Sequence, residues 1–209
     1  ERRSAARHAR DEDGGRVGEA RIAERLQVSR AAVSQMIDKM SKAGLVTARS
    51  NRITLTSAGE RLAQQVVRRH RLAERFLTDV LGLSWAAAHL EAGKWEHVLS
   101  DEVEAAINRV LGAPTTCPHG NPIPGSHYVV PDAVPLSNLD PGTTFTVSRI
   151  PEELEFTPGL LEFLQQSSIQ PGRMGSVRST TDDGSMKVEI EGRVVGVSAF
   201  ASARILVTA

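Results

Sequence analysis

The stretch His89–Glu104, HLEAGKWEHVLSDEVE, combines metal-binding types of side chain at helical spacing. Its pattern predicts a helix, on which His89, Glu96 and His97 lie along one edge at i, i+7 and i+8. Imidazole and carboxylate groups placed in this way can bind a divalent metal ion. Gly93 lies on the same edge, so one position that could carry a further ligand has no side chain.

Further potential ligands occur in the middle of the chain, where five of the six histidines lie between residues 70 and 127. His70 and Glu74 are four residues apart in a helical stretch, so their side chains face one way. Cys117 and His119 follow in TTCPHGNPIPG, whose prolines and glycines favour a rigid loop. Two helix faces and such a loop can converge on a metal ion. The alternative is a salt-bridged, histidine-rich pair of helices that binds no metal.

The front of the chain has the pattern of a helix-turn-helix, the first of the elements that must accompany these ligands. Apolar residues recur at helical spacing over residues 18–27. A second helix is predicted after Ser29, a favourable N-cap, and it ends at Gly44. Two short helices joined by a tight turn are typical of DNA-binding domains.

A β-wing is predicted after the second helix, because the hydrophobic period there changes to two. Leu45–Thr47 and Ile53–Leu55 are the predicted strands, with Arg49 and Arg52 near the polar tip between them. Ser57 then caps a long helix that extends to about residue 80.

The second helix and the wing carry the side chains expected of a DNA-contacting surface. Gln35 can read adenine through two hydrogen bonds, and alanine side chains can lie against a thymine methyl group. Lys39 and the wing arginines are placed for phosphate contacts, which position a protein without specifying sequence. The candidate DNA-binding residues are Ser29, Arg30, Ala31, Ala32, Ser34, Gln35, Lys39, Arg49 and Arg52. A winged helix used only for protein contacts is the alternative.

Charge is distributed unevenly along a chain whose net charge is zero. Residues 1–75 contain 17 Lys and Arg against 9 Asp and Glu, whereas the remainder contains 8 against 16. A basic front and an acidic rear favour nucleic-acid contact at one end and a different task at the other. The single cysteine excludes a disulfide framework, and no apolar run approaches the ~20 residues of a membrane span. We therefore expect a cytoplasmic protein with no membrane partner.

The rear of the chain changes to a β pattern. Residues 126–142 are rich in proline and polar residues and indicate a linker. Five short alternating stretches follow, with a short helix predicted at Gly159–Gln166, and together they fit a small SH3-like barrel. The predicted fold class is therefore mainly α with small β parts.

Four stretches together resemble the diphtheria-toxin-repressor (DtxR/MntR) family of metal-dependent transcriptional repressors. They are ARIAERLQVSRAAVSQ, RRHRLAERFLTDVLGL, WEHVLSDEVE and CPHGNPIPG. The resemblance implies a winged helix-turn-helix DNA-binding domain at 1–66 and a helical metal-binding and dimerisation domain at 67–125. It further implies that the linker at 126–142 leads to an SH3-like, FeoA-type domain at 143–209.

The resemblance also implies two neighbouring metal sites. The positions that match metal ligands of the family are His70, Glu74, His89, Glu96, His97, Cys117 and His119. Glu96 and His97 match the primary, activating site, and the others match the ancillary site of iron-type or manganese-type members. A carboxylate from the C-terminal domain often completes the ancillary site, and Glu153 or its neighbour Glu152 is the candidate here.

Two departures from the family pattern concern the primary site. Gly93 occupies the position of a Cys, Asp or Glu ligand. The family also draws a ligand from its first helix, where ungapped counting places Arg2, and a cationic arginine cannot bind a metal. Glu1 and His8 are possible substitutes. We therefore expect a weaker primary site, in which water or a residue outside the family pattern takes the place at Gly93.

We expect a Mn²⁺-responsive homodimeric repressor that binds a palindromic operator in double-stranded DNA and controls metal-homeostasis genes. Oxygen and imidazole donors at the primary site favour the harder Mn²⁺, while Cys117 keeps Fe²⁺, Zn²⁺ or Cd²⁺ binding open. One alternative is a winged-helix repressor that has lost metal control. Another is a metalloenzyme with an open coordination position at Gly93, but this leaves the basic winged helix unexplained. We therefore expect no enzyme activity and no small organic substrate.

Overall fold

The computed structural model describes residues 18–49 and 52–209, and only the backbone of Arg25. The chain divides into two compact units after Arg68. Among the described residues, no helix is both long and apolar enough to cross a membrane.

The first unit contains two short helices, a β-hairpin and the start of a long helix. The helix α1 spans Glu19–Leu26 and α2 spans Arg30–Lys42. The hydroxyl of Ser29 accepts a hydrogen bond from the Ala32 N–H at 3.1 Å, which confirms Ser29 as the N-cap of α2. A small core joins these elements, and its buried residues are Ile22, Ala23, Val33, Ile37, Val46 and Ile53.

The predicted wing is an antiparallel hairpin of β1, Val46–Arg49, and β2, Arg52–Leu55. Each strand begins within one residue of its predicted start. The long helix α3, Ser57–Asp79, follows directly. A Cβ atom at Gly59 on α3 would lie 1.9 Å from the carbonyl oxygen of Leu45, so only glycine allows this close approach. The start of α3 is thereby packed against the base of the wing.

Two helices in the second unit correct the prediction for the stretch His89–Glu104. The helix α4 spans Trp85–Trp95 and α5 spans Asp101–Val110, so the stretch is not one helix. Ser100 starts α5, because its hydroxyl accepts a first-turn backbone N–H at 3.3 Å and acidic residues follow it. Residues 96–100 therefore connect two helices instead of continuing one helical edge.

The C-terminal part of the second unit contains a six-stranded antiparallel sheet. In chain order the strands are β3 (Val134–Pro135), β4 (Thr144–Arg149), β5 (Met174–Thr180), β6 (Met186–Ile190), β7 (Arg193–Val197) and β8 (Leu206–Thr208). Their order in the sheet is β3-β8-β4-β5-β6-β7. The sequence pattern predicts the five longer strands and misses the two-residue β3.

Three short helices accompany the sheet: α6 (Glu152–Glu155), α7 (Leu160–Gln166) and α8 (Ala199–Ser202). A 3-10 helix, Leu136–Asn138, follows β3. The sequence pattern predicts α7 but neither α6 nor α8, because a four-residue helix is too short to establish a hydrophobic period.

One hydrophobic core joins the sheet to the helical part of the second unit. Trp85, the first residue of α4, is buried with Phe145, Val147 and Val188 of the sheet. Its backbone N–H donates to Oε1 of Gln165 on α7 at 2.9 Å. The helices and the sheet are therefore fixed to each other, and both can contribute side chains to one site.

Candidate metal centre

Helices α3 and α4 bring three of the predicted ligands together. His70 and Glu74 lie one turn apart on α3, with His70 Nε2 3.1 Å from Glu74 Oε1. His89 on α4 has its Nδ1 atom 2.9 Å from Glu74 Oε1 and 3.3 Å from His70 Nε2. The ligand atoms of these three residues lie within 4.8 Å of one another, which is close enough to bind one metal ion.

The loop at Cys117 adds a second group of donors around the same glutamate. The Cys117 N–H donates to the carbonyl of Asn121 at 2.9 Å, and the Gly120 N–H donates to the carbonyl of Cys117 at 3.0 Å. This tight turn holds Cys117 and His119 in the interior, with Sγ 3.9 Å from Nδ1. Glu74, Cys117 and His119 also have ligand atoms within 4.8 Å of one another.

Glu74 is the residue that both groups share. Its Oε1 atom lies 3.1 Å from His70, 2.9 Å from His89 and 3.7 Å from His119. Glu74 Oε2 and His119 Nε2 are buried and have no hydrogen-bond partner within the described part of the chain. Buried polar atoms are nearly always satisfied, so this carboxylate oxygen and imidazole nitrogen are suited to binding a cation. The residues present therefore fit a divalent metal ion.

Glu155 on α6 is a further donor, and it comes from the sheet-forming part of the unit. Its Oε1 atom lies 3.0 Å from His119 Nδ1, and its Oε2 atom lies 3.5 Å from His89 Nδ1. The Glu155 side chain is only 1% exposed, so its charge faces the histidines instead of solvent. This carboxylate connects the loop histidine to the histidine of α4.

The structure brings Glu155, and not the predicted Glu153, to this place. Glu153 is directed toward Arg204, with Oε2 3.1 Å from Nε, and Glu152 pairs with Arg71. Successive helical residues point about 100° apart, so an error of two positions changes which carboxylate faces inward. The available signal was the proline before three acidic residues, which is typical of a helix N-terminus.

Glu96 and His97 lie directly after α4, and Glu96 contacts the ligands of α3. Glu96 Oε2 lies 2.7 Å from His70 Nδ1, and Glu96 Oε1 lies 3.3 Å from His97 Nε2. Glu96 is buried, whereas the His97 side chain is 31% exposed. A Cβ atom at Gly93 would meet no atom within 4 Å, so a side chain fits there. The N-terminal candidates, Glu1, Arg2 and His8, lie outside the described residues.

Seven connected residues thus form what we call the donor cluster. It contains three imidazoles, three carboxylates and one thiol. Its members are His70, Glu74, His89, Glu96, Cys117, His119 and Glu155. His97 lies at the edge of the donor cluster, next to Glu96.

Protonated His70 and His119 offset part of the negative charge of the donor cluster in the metal-free protein. Burial alone would lower the pKa of His70, but the charge of Glu74 and hydrogen bonds to Glu74 and Glu96 raise it to about 10. Burial also opposes the change at His119, where the charges of Glu155 and Glu74 raise the pKa well above its usual value. Burial would raise the pKa of Glu74, yet His70 and His119 hold it well below its usual value. Metal binding here requires that protons leave these histidines.

The predicted DNA-binding residues lie in the first unit. The exposed ones are Ser29, Arg30, Ala31, Ala32, Gln35, Lys39, Arg49 and Arg52, and Ser34 is half-buried. Arg49 and Arg52 are paired across the hairpin. Helix α2 therefore presents basic, amide and small apolar side chains to solvent, and the wing adds two arginines.

Two family models match the chain. One, described as the iron dependent repressor N-terminal DNA binding domain, matches residues 8–52. The other, described as the iron dependent repressor metal binding and dimerisation domain, matches residues 56–125. The iron-dependent repressor IdeR of Mycobacterium tuberculosis is 39% identical over 194 residues, which cover 87% of this chain and 84% of that protein. The chain belongs to the diphtheria-toxin-repressor family.

Further comparisons support this membership. The diphtheria toxin repressor of Corynebacterium diphtheriae is 46% identical over 137 residues, which cover 64% of this chain and 58% of that protein. A solved structure titled as a manganese-dependent transcriptional repressor in complex with manganese matches with a TM-score of 0.82 and 33% identity. The match covers 99% of this chain and 97% of that one.

The protein is therefore a metal-dependent transcriptional repressor of the diphtheria-toxin-repressor family. The predicted fold class is confirmed, with a winged DNA-binding part, a helical part and a C-terminal antiparallel sheet. The prediction that the protein is not an enzyme is also confirmed, because these relatives are transcriptional repressors. The metalloenzyme alternative is thereby excluded.

Proposed function

We propose that this repressor is a cytoplasmic protein that responds to Mn²⁺. As a homodimer it binds a palindromic operator that controls metal-homeostasis genes. The donor cluster is the observation that carries this proposal. It holds several largely buried charges, and two of its donor atoms have no partner within the described residues. Buried charges cost free energy unless they are paired or coordinate a metal, so a repressor without metal control would gain nothing from them.

The metal ligands that we propose come from the donor cluster, with Glu155 in place of the predicted Glu153. Glu74 belongs to both groups of donors and orients the histidines around it. A bound divalent cation replaces the positive charge that is lost when the histidines release their protons. Glu96 and His97, the pair predicted for the primary site, contact this arrangement through a histidine of α3. We propose that Glu96 and His97 bind metal together with the remaining donors of the cluster.

Mn²⁺ is proposed over Fe²⁺ from the chemistry of the donors. Carboxylate oxygens and imidazole nitrogens outnumber sulfur in the donor cluster, and Mn²⁺ favours such harder ligands. Burial and the charge of Glu74 raise the pKa of the Cys117 thiol, which disfavours the thiolate that a softer metal needs. Fe²⁺ is the second candidate, since the IdeR relatives are named for iron. Zn²⁺ and Cd²⁺ can bind through the thiol in vitro.

A homodimer is proposed from the segment that matches the metal-binding and dimerisation model. Several apolar side chains on α4, on α5 and between them are exposed. They are Leu90 at 69%, Val98 at 79%, Val103 at 45% and Val110 at 67%. Exposed apolar groups in this number support a protein interface, and a second copy of the chain is the partner we propose.

Metal control of DNA binding is proposed to act as a shift between two states of the dimer. A ligand shifts such an equilibrium only by its difference in affinity for the two states, so Mn²⁺ must bind the DNA-competent state more tightly. Helix α3 follows the wing directly and carries His70 and Glu74 in its second half.

The affinity for DNA with and without Mn²⁺ tests this proposal. Operator duplexes would be selected from a random-sequence pool with the Mn²⁺-loaded full chain, and affinity would be measured by fluorescence anisotropy at one salt concentration. We expect strong binding with Mn²⁺, weak binding with chelator, and weak binding of Glu74→Gln under both conditions. The exposed Glu162 provides the matched control, Glu162→Gln, which should bind as the wild type does. Equal affinity with Mn²⁺ and with chelator would contradict the proposal.

A further inference from the structure

Asn121 is a buried asparagine that lies beside the donor cluster and donates a hydrogen bond to it. Its residue is 4% exposed. Its Nδ2 atom donates two hydrogen bonds, to the carbonyl of Ile150 and to Oε1 of Glu155, both at 2.8 Å. Both amide hydrogens are therefore used, and one of them fixes a carboxylate of the donor cluster.

The loop that carries Asn121 is held tightly against the end of β4. The Ile150 N–H donates to the carbonyl of His119 at 2.8 Å. A Cβ atom at Gly120 would lie 2.5 Å from the carbonyl oxygen of Ser148, so the two backbones are as close as glycine permits. The position of Asn121 is thus set by the backbone on both sides. Its side chain can therefore fix the position of the Glu155 carboxylate.

Glu155 lies at the end of α6, a short helix that the buried Leu154 anchors in the core without fixing the direction of the Glu155 carboxylate. Helix α6 has four residues, and its N-cap, Pro151, makes no side-chain capping hydrogen bond. An ion pair between Arg71 and Glu152 restrains the start of α6 but does not touch Glu155. Among the described residues, Asn121 is the hydrogen-bond partner that reaches the Glu155 carboxylate from outside the donor cluster.

The direction of the hydrogen bond matters for binding a cation. Asn121 donates to Glu155 Oε1, and the same oxygen lies 3.0 Å from His119 Nδ1 while Oε2 lies 3.5 Å from His89 Nδ1. An N–H donor stabilises an ionised carboxylate and leaves its remaining lone pairs available to a metal. Aspartate at position 121 would have nearly the same shape but would place a second negative charge against Glu155.

We propose that Asn121 is a positioning residue of the metal site, which holds the Glu155 carboxylate toward the histidines and thereby raises the affinity for the metal. This inference rests on the proposed function and adds to it a residue that binds no metal itself. Partners of this kind around metal ligands typically change metal affinity by about 10- to 100-fold when they are removed. Asn121 also explains how the sheet, through α6, contributes a fixed ligand.

A double-mutant cycle between Asn121 and Glu155 tests the inference. The variants are Asn121→Ser, Asn121→Asp, Glu155→Gln and the corresponding double variants, with Asn138→Ser as an exposed control. Mn²⁺ affinity and stoichiometry of each full chain would be measured by titration calorimetry. Thermal unfolding of the metal-free chains would show separately what each substitution costs the fold. Asn121→Asp keeps the shape of the side chain, so it serves as the second variant if Asn121→Ser does not fold.

We expect both Asn121 substitutions to weaken Mn²⁺ binding about 10- to 100-fold in the wild-type background. In the Glu155→Gln background they should weaken it by no more than about twofold, because the residue acts through that carboxylate. Unchanged affinity in the wild-type background, or equal losses in both backgrounds, would overturn the inference alone. No Mn²⁺ uptake by the wild-type chain would overturn the inference and the proposed function together. If the double-mutant cycle gives the expected result but Mn²⁺ does not change DNA affinity, only the proposed function would be overturned.

Discussion

The DNA-binding surface and the donor cluster place polar side chains in opposite surroundings. On α2 and the wing, basic and amide groups such as Gln35, Lys39 and Arg49 are exposed. In the donor cluster, Glu74 and His119 are each 1% exposed and are held by one another and by neighbouring charges. Removing an exposed charge changes the free energy of folding little, whereas removing a buried one leaves its partners uncompensated. Single substitutions on the DNA-binding surface should therefore each change DNA affinity separately. A single substitution in the donor cluster should weaken metal binding by the whole cluster.

The largest expected effect is that of Glu74→Gln, because this residue belongs to both groups of donors. The substitution keeps the shape of the side chain but removes the charge that His70, His89 and His119 face. We expect Mn²⁺ affinity to fall by about 100- to 1,000-fold, equivalent to the ~3–4 kcal/mol seen when a buried charge pair is broken. Titration calorimetry against Glu162→Gln measures this. A loss of less than about tenfold would show that the donors act independently.

On the DNA side, Gln35→Ala should weaken binding to the selected operator by about 10- to 100-fold, the range for losing a good base contact. Mn²⁺ affinity should stay unchanged, because the side chain is exposed in the other unit. Lys39→Ala is the informative comparison, since a phosphate contact should weaken binding to all duplexes alike and reduce the salt slope by about one. If Gln35→Ala weakened operator and random duplexes equally, Gln35 would not read sequence.

The pH dependence of metal binding should also distinguish the donor cluster from the DNA-binding surface. His70 has a pKa raised to about 10 and that of His119 is also raised, so both are protonated near neutral pH without metal. Mn²⁺ affinity should then increase about tenfold per pH unit for each proton displaced, between pH 6 and 8. Calorimetry in several buffers measures the affinity and the protons released. Affinity that does not change with pH would contradict the protonation described for His70 and His119.

The metal-free protein should show the opposite trend in stability. A raised histidine pKa contributes stability that is fully present below the unfolded value of about 6.5. That contribution from His70 is lost as the pH rises toward about 10. The melting temperature measured in chelator should therefore fall from neutral to alkaline pH, and His70→Gln should reduce this fall. A melting temperature that is flat over this range would contradict the prediction.

The smallest expected effects are at Gly93, where a Cβ atom meets nothing within 4 Å. Gly93→Ala should stabilise α4 by about 1 kcal/mol through helix propensity and leave Mn²⁺ affinity unchanged. Gly93→Asp places a carboxylate in this open space and should tighten Mn²⁺ binding severalfold. Thermal unfolding and calorimetry of the matched pair separate the two effects. Equal Mn²⁺ affinity in both variants would mean that no metal binds beside position 93.

Elements defined by local chemistry were predictable from the sequence. Ser29 as the N-cap of α2 and the five longer strands of the sheet follow from capping and alternation, which depend on near neighbours. The break between α4 and α5 was equally local, since Ser100 and the acidic residues after it form a capping signal within the stretch assumed to be one helix. The error there came from giving the ligand spacing more weight than the cap.

The arrangement of the candidate site was predictable only in part. His70 and Glu74 share a helix face by spacing, and the Cys117 loop was expected to supply two more donors. Glu155 and Asn121 could not be found in this way, because their roles depend on how the end of β4 packs against that loop. The link from Glu96 to His70 likewise requires two helices to meet, and spacing along one helix does not specify this.

Anomalous diffraction from crystals of the full chain grown with Mn²⁺ tests the central claim most directly. The account predicts a manganese peak within coordination distance of Glu74 and His119, with Glu155 among the neighbouring carboxylates and its oxygen still accepting from Asn121. Manganese found only at Glu96 and His97, with none near Glu74, or absent altogether, would contradict it.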